Sequence, residues 1–171
     1  MCYDGLKGGL MLMLTKKQQR FLQAEKKRTM SFLGRMAQLK GKQTEERFFR
    51  AWNPKTGKHA YEQIIESVRP GDSYEDTVLK ADAILYTKLP SKPIIGIQIK
   101  SSLERAKDFI KKEYPVPVVW ITPWDTARQI RRNTIFSIVN MFPFIAEQLK
   151  RLGCEPPVEK INYFQTVGNL H

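Results

Sequence analysis

The fold is decided by residues 82–100, which read DAILYTKLPSKPIIGIQIK. Two apolar runs in this stretch flank a polar linker, residues 87–93, that contains two prolines. This pattern predicts an antiparallel β-hairpin. Because side chains two positions apart in a strand lie on one face, Gln98 and Lys100 are expected to point together. The hairpin would then bring Asp82 across from both of them.

Helical and strand-like segments lie on both sides of this hairpin. Residues 15–39 predict a basic helix, either continuous or broken near residues 29–31, and Gly41 is expected to separate it from a second helix. The remaining predicted elements are strands at 61–68, 78–86, 94–100 and 116–122, a helix at 103–112, and a helical region at 126–152 with a kink or boundary at Pro143. The order helix, three strands, helix and strand predicts an α/β fold, in which helices flank a mixed sheet.

The length of the chain bounds the number of domains. A chain of 171 residues can bury one substantial core and does not require two folded domains. We therefore expect a basic helical arm at residues 1–40, a core at residues 41–125, and a helical extension at residues 126–171 that packs on the core.

Charge points to the class of partner. The net charge is +12 and the isoelectric point is near 9.8. Between Lys16 and Arg50 there are eleven cations and three acids. This density favours a phosphate backbone over a small acidic ligand. Charge alone leaves three alternatives open: a solvated helix face, a segment that binds membrane surfaces, and a segment that binds RNA without specificity.

Cysteine content and hydropathy bear on location. Cys2 and Cys154 are too few and too distant to predict a disulfide framework, and the two histidines have no zinc-ligand spacing with them. Residues 8–14 are apolar but form only a weak secretion signal. No stretch approaches the roughly 20 apolar residues that cross a bilayer. We expect a cytoplasmic protein without a membrane partner.

The residues around the hairpin resemble a known superfamily. The helical motif GKQTE at residues 41–45, then Asp82, then the element Gln98-Ile99-Lys100 follow one another in the order found in PD-(D/E)XK nucleases. These motifs resemble the Holliday-junction resolvase and Mrr-type restriction endonuclease branch, with glutamine in place of the acid of the (D/E)xK element. The resemblance implies a restriction-endonuclease-like αβββαβ core, with the basic N-terminal helix and the C-terminal helical extension added to it.

The resemblance also implies an activity and a site. It implies a DNA endonuclease that uses Mg²⁺, with Mn²⁺ as a substitute, to hydrolyse phosphodiester bonds through an activated water. The implied catalytic residues are Glu45, Asp82, Gln98 and Lys100. The implied metal ligands are Glu45, Asp82, Gln98 and the Ile99 carbonyl, and Asp76 is a candidate additional acid. Magnesium prefers such oxygen ligands and retains several waters, so few protein ligands suffice.

Cations and one aromatic residue are candidates for contact with DNA. Duplex or branched DNA is the expected partner, and a homodimer remains an open alternative. Trp124 lies beyond the last predicted strand, where it would stack on a base. The cations expected to pair with phosphates are Lys40, Lys42, Arg47, Arg50, Lys80, Arg128, Arg131 and Arg132.

Two other functions compete with the endonuclease. A neutral amide attracts a divalent cation less than a carboxylate does, so Gln98 is also consistent with a nuclease-fold protein that binds DNA and has lost catalysis. A basic RNA-binding protein is the third candidate, favoured by the net charge alone.

Overall fold

The computed structural model describes residues 15–53 and 60–154. The predicted α/β class and mixed sheet are confirmed. The elements are α1 (Lys16–Trp52), a 3-10 helix (Ala60–Gln63), β1 (Ile65–Pro70), α2 (Ser73–Thr77), β2 (Ala83–Thr87), β3 (Ile94–Lys100), α3 (Leu103–Ile110), β4 (Val118–Trp120), α4 (Ala127–Met141) and α5 (Phe144–Arg151).

The four strands form one sheet in the order β1-β2-β3-β4. The first three are antiparallel neighbours, and β4 runs parallel to β3. In the hairpin, Ala83 lies opposite Ile97, so continuing the register by one residue brings Asp82 beside Gln98. The Thr87 hydroxyl closes the linker by donating to the Lys92 carbonyl at 2.7 Å. The predicted hairpin is therefore confirmed.

Strand side chains alternate between the two faces of the sheet. Apolar side chains on both faces are therefore covered by helices. Leu85 and Ile97 are buried in the main core with Phe48 of α1 and Ile135 of α4. The side chains at the alternate strand positions point to the opposite face of the sheet. There Val118 of β4 packs in a second cluster with Ala106 and Phe109 of α3. Full burial of one such large apolar side chain stabilises the fold by roughly 1.5–3 kcal/mol.

The chain divides into two compact units, residues 1–40 and 41–171. The second unit contains the sheet, the core and the elements from the 3-10 helix onward. In the first unit, the described residues 15–40 are helical from Lys16 and almost all exposed. Among the described residues no helix has the length and apolar character needed to cross a membrane.

The predicted separation of two helices at Gly41 is wrong, and at residues 29–31 the continuous alternative is the one observed. α1 continues through residues 29–31 and through Gly41. Glycine inside a helix costs only about 1 kcal/mol relative to alanine, which the packing of Phe48 and Trp52 further along α1 readily offsets. A Cβ at Gly41 would meet no atom within 4 Å, so steric crowding does not require a glycine there.

The predicted strand at 78–86 is wrong in its first half. A short helix, α2, occupies residues 73–77, and β2 begins only at Ala83. Asp72 and Glu75 form a capping box, in which each side chain accepts from the other residue's backbone N–H. Gly71 lies against the Ala81 carbonyl so closely that a Cβ would be 2.3 Å from that oxygen. The reversal from β1 through α2 thus leads directly into Asp82.

The C-terminal helical region is interrupted at Pro143, as the sequence predicts. α4 ends at Met141, and α5 begins at Phe144 with Pro143 at its N-cap. Ile135 of α4 and Ile145 and Leu149 of α5 pack in the main core. The remainder of the predicted extension, residues 155–171, and the apolar run at residues 8–14 lie outside the described residues.

One ion pair fastens α2 to β1 and sets a pH dependence. The Arg69 guanidinium donates to both Glu75 carboxylate oxygens at 2.7 Å. This contact, with the Asp72 backbone N–H, lowers the Glu75 pKa from 4.5 to about 2. Ionised Glu75 therefore contributes stability that is complete above pH 4.5 and is lost as the pH falls through about 2.

Glu75→Gln should flatten the pH dependence of the free energy of unfolding between pH 4.5 and about 2, measured by urea denaturation. Glu66→Gln, at an exposed glutamate of β1, is the matched control and should leave the wild-type slope intact. An unchanged slope in Glu75→Gln would show that this ion pair does not couple folding to pH.

Candidate metal and nucleic-acid site

Asp82 is held in a fixed orientation at the start of β2. Its Oδ2 accepts a hydrogen bond from the Ile99 backbone N–H at 2.6 Å and another from the Gln98 side-chain amide. Both bonds go to the same oxygen, and Oδ1 receives no hydrogen bond from any residue that the structure describes. The carboxylate is thus anchored by one oxygen while the other is left to bind something else.

Gln98 plays a different part from the one expected of it. The sequence predicts that its amide oxygen binds a metal, whereas the structure turns its amide N–H₂ toward Asp82. Gln98 is 4% exposed, so its amide is fixed among buried neighbours. The residue orients the neighbouring acid through its amide nitrogen.

Glu45 lies near Asp82 and Asp76. Partial burial raises the pKa of Glu45, and the negative charges of Asp82 and Asp76 raise it further, against the opposing effects of Lys100 and Lys42. Burial also raises the pKa of Asp82, opposed by the Ile99 N–H, by Lys100 and by Gln98. The structure therefore brings Glu45, Asp76 and Asp82 within electrostatic reach of one another, as the sequence predicts.

Lys100 completes the charged cluster. Burial lowers its pKa, and Asp82, Asp76 and Glu45 oppose that shift. Its Nζ lies 5.1 Å from the centroid of the Phe109 ring, a distance typical of a cation–π contact. In the described part of the chain, Lys100 forms no ion pair within 4.0 Å with any of these acids.

The oxygen donors of the cluster suit a hard divalent cation. They are Asp82 Oδ1, the Glu45 carboxylate and the Ile99 carbonyl. Because N–H and C=O of one residue point to the same side of a strand, the Ile99 carbonyl lies on the side where its N–H meets Asp82. Within residues 15–53 and 60–154 there is no ready group of three or more acidic, histidine or cysteine ligands. Two carboxylates and a carbonyl are nevertheless oxygen donors of the type that Mg²⁺ prefers, and this ion keeps much of its hydration shell.

Two predicted phosphate-binding arginines are engaged inside the protein. Arg47 donates to the backbone carbonyls of Thr122 and Asp125, the latter at 2.7 Å. Arg131 donates to the Ala51 carbonyl at 2.6 Å. These contacts hold α1 against the turn after β4 and against α4, so we leave both arginines out of the proposed DNA-contact surface.

The other predicted cations differ in their surroundings. Within the unit that contains the sheet, Lys42, Arg50 and Arg128 are exposed, and Lys80 is half-buried with a positive φ of 58°. Arg132 is exposed and interacts with another group of the protein. Lys40 belongs to the N-terminal unit, where it is exposed and also interacts with another group of the protein. Lys42 is near enough to Glu45 to influence its pKa, which places one exposed cation beside the acids.

Sequence reasoning missed the backbone contribution to the site. The Ile99 N–H is an anchor for Asp82, but a residue's type does not reveal where its backbone amide points. A signal was available for Gln98, because a buried amide beside an unpaired acid is a natural hydrogen-bond donor to it.

The comparisons do not supply a relative. No family model, no curated protein and no solved structure matches this chain. The function is therefore inferred from the geometry and chemistry of the site.

Glu45→Gln should make the protein more stable at neutral pH, because it removes a negative charge held near Asp82 and Asp76 in a partly buried setting. We expect Tm to rise by about 2 °C, which corresponds to roughly 0.5–1 kcal/mol in a chain of this length. Millimolar Mg²⁺ should raise the Tm of the wild type more than that of the variant.

Differential scanning calorimetry with and without Mg²⁺ measures both effects. Glu46→Gln, at the exposed neighbouring position, is the matched control and should change neither. A lower Tm for Glu45→Gln than for the control would mean that Glu45 supports the fold instead of the site.

Proposed function

We propose that this protein is a magnesium-dependent DNA endonuclease with a restriction-endonuclease-like core. The observation that carries the proposal is the anchoring of Asp82 by Gln98 and the Ile99 N–H, with Oδ1 left over and Glu45 and Lys100 in electrostatic reach. A partly buried group of acids whose pKa values are shifted by burial and by neighbouring charges is typical of functional sites.

The order of elements supports the same proposal. The end of α1 is followed by β1, β2, β3, α3 and β4, which is the αβββαβ order of the superfamily that the sequence resembles. Glu45 lies on the first helix, Asp82 immediately before the second strand, and Lys100 at the end of the third. The short helix α2 is inserted between the first two strands and brings Asp76 toward the acids.

In the proposed reaction the chain positions a water and a phosphodiester. Asp82 Oδ1, Glu45 and the Ile99 carbonyl would hold Mg²⁺, which when bound supplies positive charge to the phosphoryl oxygens and lowers the pKa of the attacking water. The Lys100 ammonium would hold that water or stabilise negative charge that develops on a phosphoryl oxygen. Phe109 and the adjacent acids keep the Lys100 side chain near the site.

Exposed cations near the acids would bind the DNA backbone. Lys42, Arg50 and Arg128 are exposed in the same unit as the site. Each phosphate contact releases counterions, so binding should weaken steeply as the salt concentration rises. The net charge of +12 supports a polyanion as the partner.

Gln98 specifically favours a second candidate function, a DNA-binding protein of the same fold that does not cleave. A neutral amide stands where this superfamily commonly has an acid, and its nitrogen donates a hydrogen bond to Asp82. This reading predicts DNA binding that is salt-dependent but insensitive to Mg²⁺.

Purified protein should nick supercoiled, branched or linear DNA in the presence of Mg²⁺ and not in EDTA. Asp82→Asn and Lys100→Met should each lower the cleavage rate by about 10²-fold or more, because each removes charge stabilisation at the reacting phosphate. Asp108→Asn and Lys112→Met change exposed residues of the same two types and are the matched controls.

Equal rates in the wild type and in both site variants would remove the endonuclease assignment. DNA binding without turnover in any preparation would support the non-cleaving alternative. Tighter competition by RNA than by duplex DNA would instead support an RNA-binding protein.

A further inference from the structure

Trp124 presents its indole to solvent. Its side chain is 87% exposed, more than that of any other large apolar residue in the described ranges. The other two tryptophans differ, since Trp52 is buried and Trp120 is partly buried. An indole this exposed is not stabilised by burial in the fold. Contact with another molecule therefore explains a tryptophan at this position better than packing does.

The backbone beneath Trp124 is firmly held. The Asp125 carboxylate accepts from the Thr122 N–H at 2.7 Å, and the Arg47 guanidinium donates to the Thr122 and Asp125 carbonyls. Immediately afterwards, Thr126 and Gln129 form the capping box that begins α4. No bond in this network uses the Trp124 side chain. The indole therefore stands on a rigid turn that does not need it.

This turn adjoins the candidate site. β4 lies beside β3 with Trp120 opposite Lys100, and the Ile121 N–H donates to the Lys100 carbonyl at 2.9 Å. Trp124 follows three residues after Ile121. From the other side, the turn is held by Arg47 of α1, the helix that also carries Glu45. Two elements of the site thus fix the position of the turn.

The chemistry of an indole selects one part of a nucleic acid. Its flat apolar face matches the face of a nucleobase, and stacking of a base on an aromatic side chain is worth about 1–3 kcal/mol. Inside a continuous duplex, neighbouring base pairs already cover both faces of every base. A base at a gap or in a single strand has a free face. Arg128, which is exposed in the first turn of α4, is suited to bind an adjacent phosphate.

We propose that Trp124 is a stacking platform for an unpaired nucleobase close to the reacting phosphate, so that the protein prefers gapped or single-stranded DNA to continuous duplex. This inference rests on the proposed function, because it takes DNA as the substrate and the acid cluster as the reacting site. It adds a substrate class and a specificity-determining residue to that function.

The test measures binding of the full chain in EDTA, where no cleavage occurs, to a continuous duplex, a duplex with a short gap and a single strand of equal length. Wild type should bind the gapped and single-stranded DNA more tightly than the duplex. Trp124→Ala should weaken binding to those two by about 5–150-fold and leave duplex binding unchanged. Trp124→Phe should stay within about threefold of wild type, since a phenyl ring also stacks.

Phe144→Ala is the matched control, because Phe144 is a 49% exposed aromatic residue on a different helix. Tryptophan fluorescence should be quenched by gapped DNA in wild type and in Phe144→Ala, and much less in Trp124→Phe. Equal affinities of wild type and Trp124→Ala for gapped DNA, or equal losses on gapped and duplex DNA, would overturn the stacking site.

A parallel cleavage assay in Mg²⁺, on gapped DNA at sub-saturating concentration, separates this inference from the proposed function. Cleavage that depends on Asp82 but not on Trp124 would overturn the stacking site and leave the endonuclease standing. If binding of gapped DNA depends on Trp124 but no DNA is cleaved, Trp124 is a stacking platform for binding. Its proposed role beside a reacting phosphate would then be overturned.

Discussion

The site depends on the anchoring of one carboxylate. Asp82 lies just before β2, and its Oδ2 receives hydrogen bonds from the Ile99 N–H and the Gln98 amide of the neighbouring strand β3. The register of the hairpin makes this possible, because Ala83 lies opposite Ile97. A shift of one residue would turn Gln98 to the other face of the sheet and separate these groups. The site therefore inherits its geometry from the pairing of two strands.

The charged side chains around Asp82 lie in an environment that disfavours their charged forms. Burial and neighbouring negative charges raise the pKa values of Glu45 and Asp82, and burial lowers the pKa of Lys100. By contrast, the structural ion pair between Arg69 and Glu75 is short, doubly bonded and stabilising. Arg69 and Glu75 are thus paired directly, whereas Lys100 forms no ion pair within 4.0 Å with the acids of the candidate site in the described residues. This contrast is the physical reason for assigning the acid cluster to function.

The sequence predicted the parts of the structure that depend on local patterns. Alternation and turn residues predicted the hairpin, and Pro143 predicted the boundary between α4 and α5. It did not predict α2, because the short capping box of Asp72 and Glu75 competes with an apolar run nearby. The engagement of Arg47 by distant carbonyls arises from tertiary contacts that residue types do not encode, whereas the donor role of Gln98 could have been inferred from an amide placed beside an acid.

The central claim is that Asp82 Oδ1 and the Ile99 carbonyl bind a divalent cation together with Glu45. The most direct test is a crystal structure in the presence of Mn²⁺, with anomalous difference density located at the manganese absorption edge. The account predicts one peak within coordination distance of Asp82 Oδ1 and of the Ile99 carbonyl. A well-ordered structure with Mn²⁺ bound elsewhere and none at Asp82 would contradict it.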